Sequence, residues 1–178
     1  MPPAKLQLRR KWMGKEVGLS STESMKISLE AVRNGSAGLN KHRKKLLDRV
    51  PESKTWASFP RDSITIKDIA YLSAATQHEF ALLRGKKEDI LFHGVECHCT
   101  FDIQLIALLK AHKLKLVAHT HPDWGIVTPS QDDREFLKYI GQNKSVIISY
   151  ITGIEREFSK SLFENMGGGE CNVNGRRG

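Results

Sequence analysis

The chain has 178 residues, 39% of them hydrophobic, which is enough for one domain of ordinary size with additional segments. It has no apolar run of the roughly 18 residues that span a bilayer, and no apolar stretch of signal-peptide type follows its first basic residues. We therefore expect a cytoplasmic protein without a membrane partner. Its three cysteines are expected to be reduced thiols.

The formal net charge of +8 is concentrated near the N-terminus. Residues 1–60 contain 13 Lys or Arg against 5 Asp or Glu, whereas residues 61–178 contain 15 of each. This asymmetry predicts that residues 1–57 form an appended basic segment that binds nucleic acid or an acidic partner protein. The alternative is a solvated helical face that only increases solubility.

Two helices are predicted in this basic segment. The first spans residues 20–33, begins at a Ser or Thr N-cap and ends at an Asn-Gly pair. The second carries the basic run KHRKK, residues 41–45, and ends before Pro51. Together they form a basic helical hairpin. The stretch PESKTWASFPRD that follows is interpreted as a linker or docking strap.

Strand and helix patterns alternate through the rest of the chain. Strands are predicted at SITI (63–66), QHEFALLRG (77–85), DILFHG (89–94), VECHCTF (95–101), KLKLVAHTH (113–121) and SVIISYI (145–151). Helices are predicted at KDIAYLSAA (67–75) with Asp68 as its cap, DIQLIALLKAH (102–112) with Ile103, Leu105, Ile106 and Leu109 buried, and SQDDREFLKYIGQ (130–142). This order predicts an α/β layered domain with a mixed sheet over residues 58–162, before a flexible Gly-rich tail at 163–178.

The stretch AHTHPDWGIVTPSQDD contains the residues that indicate chemistry. His119 and His121 are two apart on a strand, so they project from one face at its C-terminal end, where Pro122 stops it. A seven-residue loop then leads to Ser130. If Ser130 caps the next helix, Asp133 lies in the first turn and faces back toward the loop. Two imidazoles and one carboxylate are the ligand set of a catalytic zinc site, which leaves its fourth position for water.

Such a site needs a group that takes and returns the proton of the water, whose pKa zinc lowers to about 7. Glu79 is the candidate, because a charged residue inside the apolar strand QHEFALLRG needs a reason to be there. Ser130 is expected to cap its helix and to offer its hydroxyl to the oxyanion formed when a carbonyl is attacked. Each feature alone is common in proteins without a metal, but their combination predicts a metal site.

This combination resembles the JAMM signature of the MPN-domain (JAB-family) zinc metalloproteases of prokaryotic type: an upstream glutamate, His-x-His-Pro, a spacer and Ser-x-x-Asp. The resemblance covers residues 60–160. The family pattern implies a three-layer α/β sandwich with a mixed central sheet, similar to that of cytidine deaminases. It also implies cleavage of a peptide or isopeptide bond, often at the C-terminus of ubiquitin or a ubiquitin-like protein. The implied roles are Zn²⁺ binding by His119, His121 and Asp133, general acid/base catalysis by Glu79, and stabilisation of the tetrahedral intermediate by Ser130.

Four further residues receive lesser roles. Trp124 either packs on an extended substrate chain or anchors its loop on the core. Cys97 and Cys99 are too closely spaced for a usual zinc pair, so core packing is favoured over a second metal site. Asp132 is one residue out of register with the motif and is assigned to solvent or to the helix dipole.

Two alternatives to the peptidase interpretation follow from the same residues. A metal-dependent phosphoesterase also places His-x-His at a strand end, but that class usually needs more ligands. A nucleic-acid-associated accessory protein of DNA repair or of a mobile element, like the RadC-like proteins, would use the basic hairpin as its working surface. Loss of cleavage with retained zinc in a Glu79→Gln variant would distinguish the peptidase from both.

Overall fold

The structure, a computed structural model, describes residues 19–96, 98–123 and 127–161. The predictions made for Cys97, Trp124, residues 1–18 and the Gly-rich tail concern residues outside these ranges. No helix in the described part of the chain is long and apolar enough to cross a membrane.

Five helices and six strands form in the described ranges. The helices are α1 (Ser21–Arg33), α2 (Lys41–Arg49), α3 (Ile66–Thr76), α4 (Ile103–Ala111) and α5 (Gln131–Tyr139). The strands are β1 (Thr55–Pro60), β2 (Phe80–Arg84), β3 (Glu88–His93), β4 (Lys115–His121), β5 (Lys144–Ser149) and β6 (Glu155–Ser159). They make one sheet in the order β1-β3-β2-β4-β5-β6, in which only β4 and β5 are parallel. The predicted α/β class with a mixed sheet is confirmed.

Helices cover both faces of this sheet because its central strands are apolar on both sides. In β2, Phe80 and Leu82 pack with α1, α2 and α3, whereas Ala81 and Leu83 pack with α4 and α5. The helices contribute Leu29, Leu46 and Ile69 to the first core and Leu105, Leu109 and Leu137 to the second.

The described part of the basic N-terminal segment is built onto the sheet. Helices α1 and α2 place Leu29 and Leu46 in the same core as the strands. Strand β1 continues across residue 57, where the segment is predicted to end, and pairs with β3. The Arg43 Nε atom also lies 2.8 Å from Asp68 Oδ1, which connects α2 to α3. The hairpin and the sheet therefore share one hydrophobic core.

One irregularity interrupts the pairing of β2 with β4. Leu82 pairs with Ala118 and Leu83 pairs with Leu116, so Val117 is an extra residue opposite the junction. Such a β-bulge changes which residues of the strand face each side of the sheet. The alternation of side chains between the two faces of the sheet is therefore shifted by one residue after Val117.

Two local predictions around α3 are wrong. The stretch SITI is not a strand, because Thr65 caps α3: its hydroxyl accepts from the Asp68 N–H at 3.2 Å. Asp68 is thus the third helical residue, and its carboxylate accepts in return from the Thr65 N–H at 3.0 Å. The helix is consequently longer than predicted, at 11 residues.

Other strand and burial predictions also fail. The described residues of VECHCTF form no strand, since the Val95 N–H donates to the His98 carbonyl at 3.0 Å and closes a turn. Ile103 is 86% exposed, because it starts α4 on the side away from the buried pair Leu105 and Leu109. The linker stretch contains β1, and β6 was not predicted at all.

Candidate metal centre

The two motif histidines lie together at the end of β4. Parallel pairing with β5 places His119 opposite Ile147 and His121 opposite Ser149. Their Nε2 atoms are 3.1 Å apart, and their ring planes are inclined by 70°. His119 is 5% exposed. The prediction that both imidazoles project from one face is confirmed.

The start of α5 brings a carboxylate to these imidazoles. Ser130 caps the helix, as predicted: its hydroxyl accepts from the Asp133 N–H at 3.1 Å. In return the Asp133 carboxylate accepts from the Ser130 N–H and hydroxyl, both at 2.7 Å. This capping box fixes Asp133 with Oδ1 at 2.9 Å from His119 Nε2 and Oδ2 at 3.5 Å from His121 Nε2.

The three donor groups lie close enough together to hold one metal ion. One donor atom from each of His119, His121 and Asp133 lies within 4.8 Å of the others. Zinc binds His nitrogen and carboxylate oxygen at about 2.0–2.1 Å, so tetrahedral ligands are separated by about 3.3 Å. The separations of 3.1, 2.9 and 3.5 Å are close to this value. Among the residues that the structure describes, no fourth ligand belongs to the group.

Glu79 is buried in the wall of the same cavity. It directly precedes β2, is 3% exposed, and is held through its backbone by Val95 and Gly94, at 2.9 and 2.8 Å. Burial raises the pKa of its carboxyl to about 8; His121 opposes this shift, and the negative charges of Asp133 and Asp123 add to it. All five predicted site residues line this cavity of about 540 Å³: Glu79, His119, His121, Ser130 and Asp133.

Burial, hydrogen bonds and neighbouring charges shift the pKa values of the three candidate ligand residues in different directions. Burial lowers the pKa of His119 despite its contact with Asp133, which favours the neutral imidazole that metals bind. Burial also acts to lower the pKa of His121, but Asp133, Glu79 and Asp123 raise it overall. Burial would raise the pKa of Asp133, yet hydrogen bonds from His119, His121 and Ser130 hold it far below its ordinary value.

Two supporting residues were missed in the sequence. Asp123, two positions after His121, has Oδ2 at 3.5 Å from His121 Nδ1 and so can orient that ring. Thr120 lies between the two ligands but faces the other side of β4, where its hydroxyl contacts Ser73 Oγ at 2.7 Å and accepts from the Phe80 N–H at 2.8 Å. A hydroxyl in an otherwise apolar buried strand was the available signal.

Apolar residues also line the cavity. They are Phe101, Ile106, Leu116 and Phe136, together with the partly buried Cys99. The core-packing prediction is confirmed for Cys99, which packs against the core beneath α4 and α5. Asp132 is exposed, as expected, and also lies at the rim of the cavity. The cavity thus has both charged and apolar lining residues.

No protein-family model, curated protein or solved structure matches this chain. The resemblance to the JAMM signature therefore depends on the motif residues alone. The spacing of the donor atoms and the burial of Glu79 are independent of that resemblance and support a candidate metal site by themselves.

Proposed function

We propose that the protein is a zinc-dependent metallopeptidase or isopeptidase of the JAMM type. The observation that carries the proposal is the convergence of His119, His121 and Asp133, at distances suited to zinc, beside the buried carboxyl of Glu79. Three protein ligands with an open fourth position are typical of catalytic zinc, whereas structural zinc usually has four.

The residues of the chain divide the catalytic work. Zinc, when bound, supplies Lewis-acid polarisation of a carbonyl and activation of water. Glu79 takes the proton of the attacking water and delivers it to the leaving amine. Burial raises the pKa of its carboxyl to about 8 in the metal-free site, and a dication bound beside it would lower this pKa toward the neutral range in which both transfers are possible. Asp123 and Ser130 orient His121 and Asp133 through the contacts described above.

Ser130 has a second role in the proposal, as the group that stabilises the oxyanion. Its hydroxyl lines the cavity and donates to Asp133 Oδ2 at 2.7 Å. Rotation about its side-chain bond would turn the hydroxyl toward a substrate while the backbone N–H keeps its bond to the same carboxylate.

The proposed substrate is an extended peptide, such as the C-terminus of a ubiquitin-like protein. This class comes from the resemblance to the JAMM signature. The apolar wall formed by Phe101, Ile106 and Phe136 supports it, because a side chain next to the scissile bond would pack there while the carbonyl faces the ligands.

Metal analysis combined with Glu79→Gln tests the proposal. We expect about one zinc per chain in both proteins and a decrease in cleavage of roughly 10² to 10⁴-fold in the variant. Substrates are a fluorogenic peptide pool and a ubiquitin-like protein with a reporter fused to its C-terminus. Glu30→Gln is the control, since Glu30 is an exposed residue of α1 that does not line the cavity. Absence of zinc from the wild type, or full activity of Glu79→Gln, contradicts the proposal.

A phosphoesterase is less well supported by the geometry. Metal-dependent phosphoesterases commonly use two metal ions about 3.5–4 Å apart, which requires more ligands than one triad. In the described residues the group contains only His119, His121 and Asp133. A single ion with one acid/base carboxylate is the arrangement that these residues favour.

A further inference from the structure

A second cavity lies at the end of the sheet opposite the metal centre. It has a volume of about 710 Å³ and opens between the ends of α4 and α5 and the starts of β4 and β5. Strand β4 connects the two sites, since Lys115 lies at this cavity and His121 at the metal centre. Lys115 and His121 are six residues apart in β4, so at about 3.3 Å per residue these two residues are separated by about 20 Å. We call this cavity the lysine groove after the residues that line it: Lys110, Lys113, Lys115, Lys138 and Lys144.

Most of these lysines lack a compensating carboxylate. Lys144 pairs with Glu157 at 2.8 Å. Within the described part of the chain, no carboxylate forms an ion pair with Lys113, Lys115 or Lys138, and all three are exposed. Unpaired like charges around one concave surface repel each other and attract an anion.

Helix dipoles account for only part of this arrangement. Lys110 and Lys138 lie in the last turns of α4 and α5, where a cation is favourable in any helix. Lys113 directly follows the C-cap of α4 and is still near its last carbonyls, but Lys115 lies in β4 and receives no such stabilisation. The presence of Lys115 beside the other lysines is better explained by a ligand.

Residues 61–178 contain equal numbers of acidic and basic residues, and several of each kind are grouped at opposite ends of the sheet. Four carboxylates lie in or beside the metal centre, whereas the lysines gather at the far end of the same strands. The four acidic residues are Glu79, Asp123, Asp132 and Asp133. A polyanion is therefore drawn to the lysine groove.

An aromatic ring at the groove indicates the kind of anion. Tyr139 is 54% exposed, and the Lys110 Nζ atom lies 3.7 Å from the centre of its ring. Exposed aromatic rings beside lysines are the combination that proteins use to bind single strands, with bases on the ring and phosphates on the cations. A simple phosphate or an acidic peptide has no base that would stack on the ring.

We propose that the lysine groove binds single-stranded nucleic acid. Phosphates contact Lys113, Lys115 and Lys138, and a base stacks on Tyr139. The groove has the volume of a typical small-ligand site, so it holds one or two nucleotides while the strand continues over the surface. This site is separate from the proposed metal ligands and places the nucleic acid as a tether, because Lys115 lies about 20 Å from His121 along β4.

Binding of a fluorescein-labelled 12-nucleotide oligo-dT to the full chain tests this inference. Anisotropy titrations between 50 and 300 mM NaCl compare the wild type with Lys113→Gln/Lys115→Gln. We expect the variant to bind at least tenfold more weakly, with a log–log salt slope smaller by about 1.4, or about 0.7 per lost phosphate contact. Tyr139→Leu should weaken binding about tenfold and leave the salt slope unchanged.

Lys26→Gln/Lys67→Gln is the matched control, because it removes two exposed lysines from α1 and α3 on the other side of the sheet. We expect its affinity to change less than twofold. Equal weakening by both double variants would overturn the proposal, since it would mean general charge attraction. So would equally effective competition by a polyglutamate peptide of the same charge, because the groove would then select acidic protein. These readouts are independent of cleavage, so they distinguish failure here from failure of the peptidase proposal.

Discussion

The hydroxyl of Thr120 accepts a hydrogen bond from the backbone N–H of Phe80 at 2.8 Å. Thr120 lies between the two histidine ligands, and Phe80 follows Glu79. Ser73 of α3 completes the contact, with its hydroxyl 2.7 Å from that of Thr120, and all three residues are fully buried. One side chain thus fixes β4, which carries the two candidate ligands, against β2, which directly follows Glu79.

Replacing this hydroxyl should impair catalysis more than metal binding. Thr120→Val keeps the shape but leaves the buried Phe80 N–H without its acceptor, at a cost of about 1–3 kcal/mol in the free energy of unfolding. We expect zinc content to stay near wild type, kcat to fall about tenfold, KM to change little, and Thr120→Ser to restore activity. Ser145→Ala is the control, since Ser145 is buried at the other end of β5 and bonds to Leu116. Equal kcat in Thr120→Val and wild type contradicts the positioning role.

Metal binding should depend on Asp133 and not on its neighbour Asp132. Asp133→Asn removes the negative charge that lies beside His119 and His121, whereas Asp132→Asn changes an exposed residue by the same chemistry. We expect zinc content, measured by elemental analysis, to fall below about a tenth of wild type only in Asp133→Asn. Chelation should lower the Tm of the wild type and of Asp132→Asn but leave that of Asp133→Asn unchanged. Similar zinc content in both variants would exclude Asp133 as a ligand.

The stability of the metal-free protein should fall as pH rises, because of Glu79. Burial raises the pKa of its carboxyl from 4.5 to about 8. Between these values the folded state keeps a proton that the unfolded state has released, so the free energy of unfolding decreases with increasing pH, by a few kcal/mol in total. Glu79→Gln should remove this slope. Urea unfolding in the presence of a chelator measures it, and parallel curves for the two proteins between pH 5 and 8 would refute the assignment.

The two roles of Ser130 can be separated by a residue that caps a helix without a hydroxyl. Ser130→Ala should cost about 0.5–2 kcal/mol of stability through loss of the N-cap, and should reduce activity. Ser130→Asn should keep the stability, since Asn is as good a cap, and still reduce kcat if the hydroxyl stabilises the oxyanion. Thermal unfolding and peptide cleavage are measured on both. Full activity of Ser130→Asn would limit Ser130 to its capping role.

Removal of residues 1–57 should unfold the protein and not merely detach a basic module. Leu29 and Leu46 are buried against the sheet, and the cut falls within β1. Loss of two such side chains alone costs several kcal/mol, which is comparable with the stability of a whole domain. We expect no cooperative thermal transition in the truncated chain. A truncated chain that unfolds cooperatively at the wild-type Tm would show instead that the sheet is independent.

Local rules predicted well which residues of β4 and α5 converge at the candidate site, because the information is contained in a few neighbouring positions. Alternation along β4 placed His119 and His121 on one face, and a Ser N-cap placed Asp133 in the first turn of α5. The position of Glu79 beside them depends on β2 pairing with β4, which no local pattern determines. The charge of Glu79 inside an apolar strand suggested that position, and the resemblance to a known motif agreed with it.

The errors occur where tertiary contacts override the local pattern. The stretch VECHCTF alternates like a strand, but its described residues form none, since the backbone groups of Val95 are bonded to His98 and Glu79. Strand β6, EREFS, has only two buried residues, Phe158 and Ser159, and is defined by its pairing with β5. Thr120 was overlooked because its partner Ser73 lies 47 positions away in the chain.

The β-bulge at Val117 determines which side chains of β4 face the metal cavity. Leu116, before it, and His119, after it, both line the metal cavity, although residues three apart in a regular strand face opposite sides. If all seven residues of β4 alternated regularly, with Leu116 facing as it does now, Thr120 would face the cavity and both imidazoles would face α3. The bulge therefore allows Leu116 and both imidazoles to share one face of the sheet.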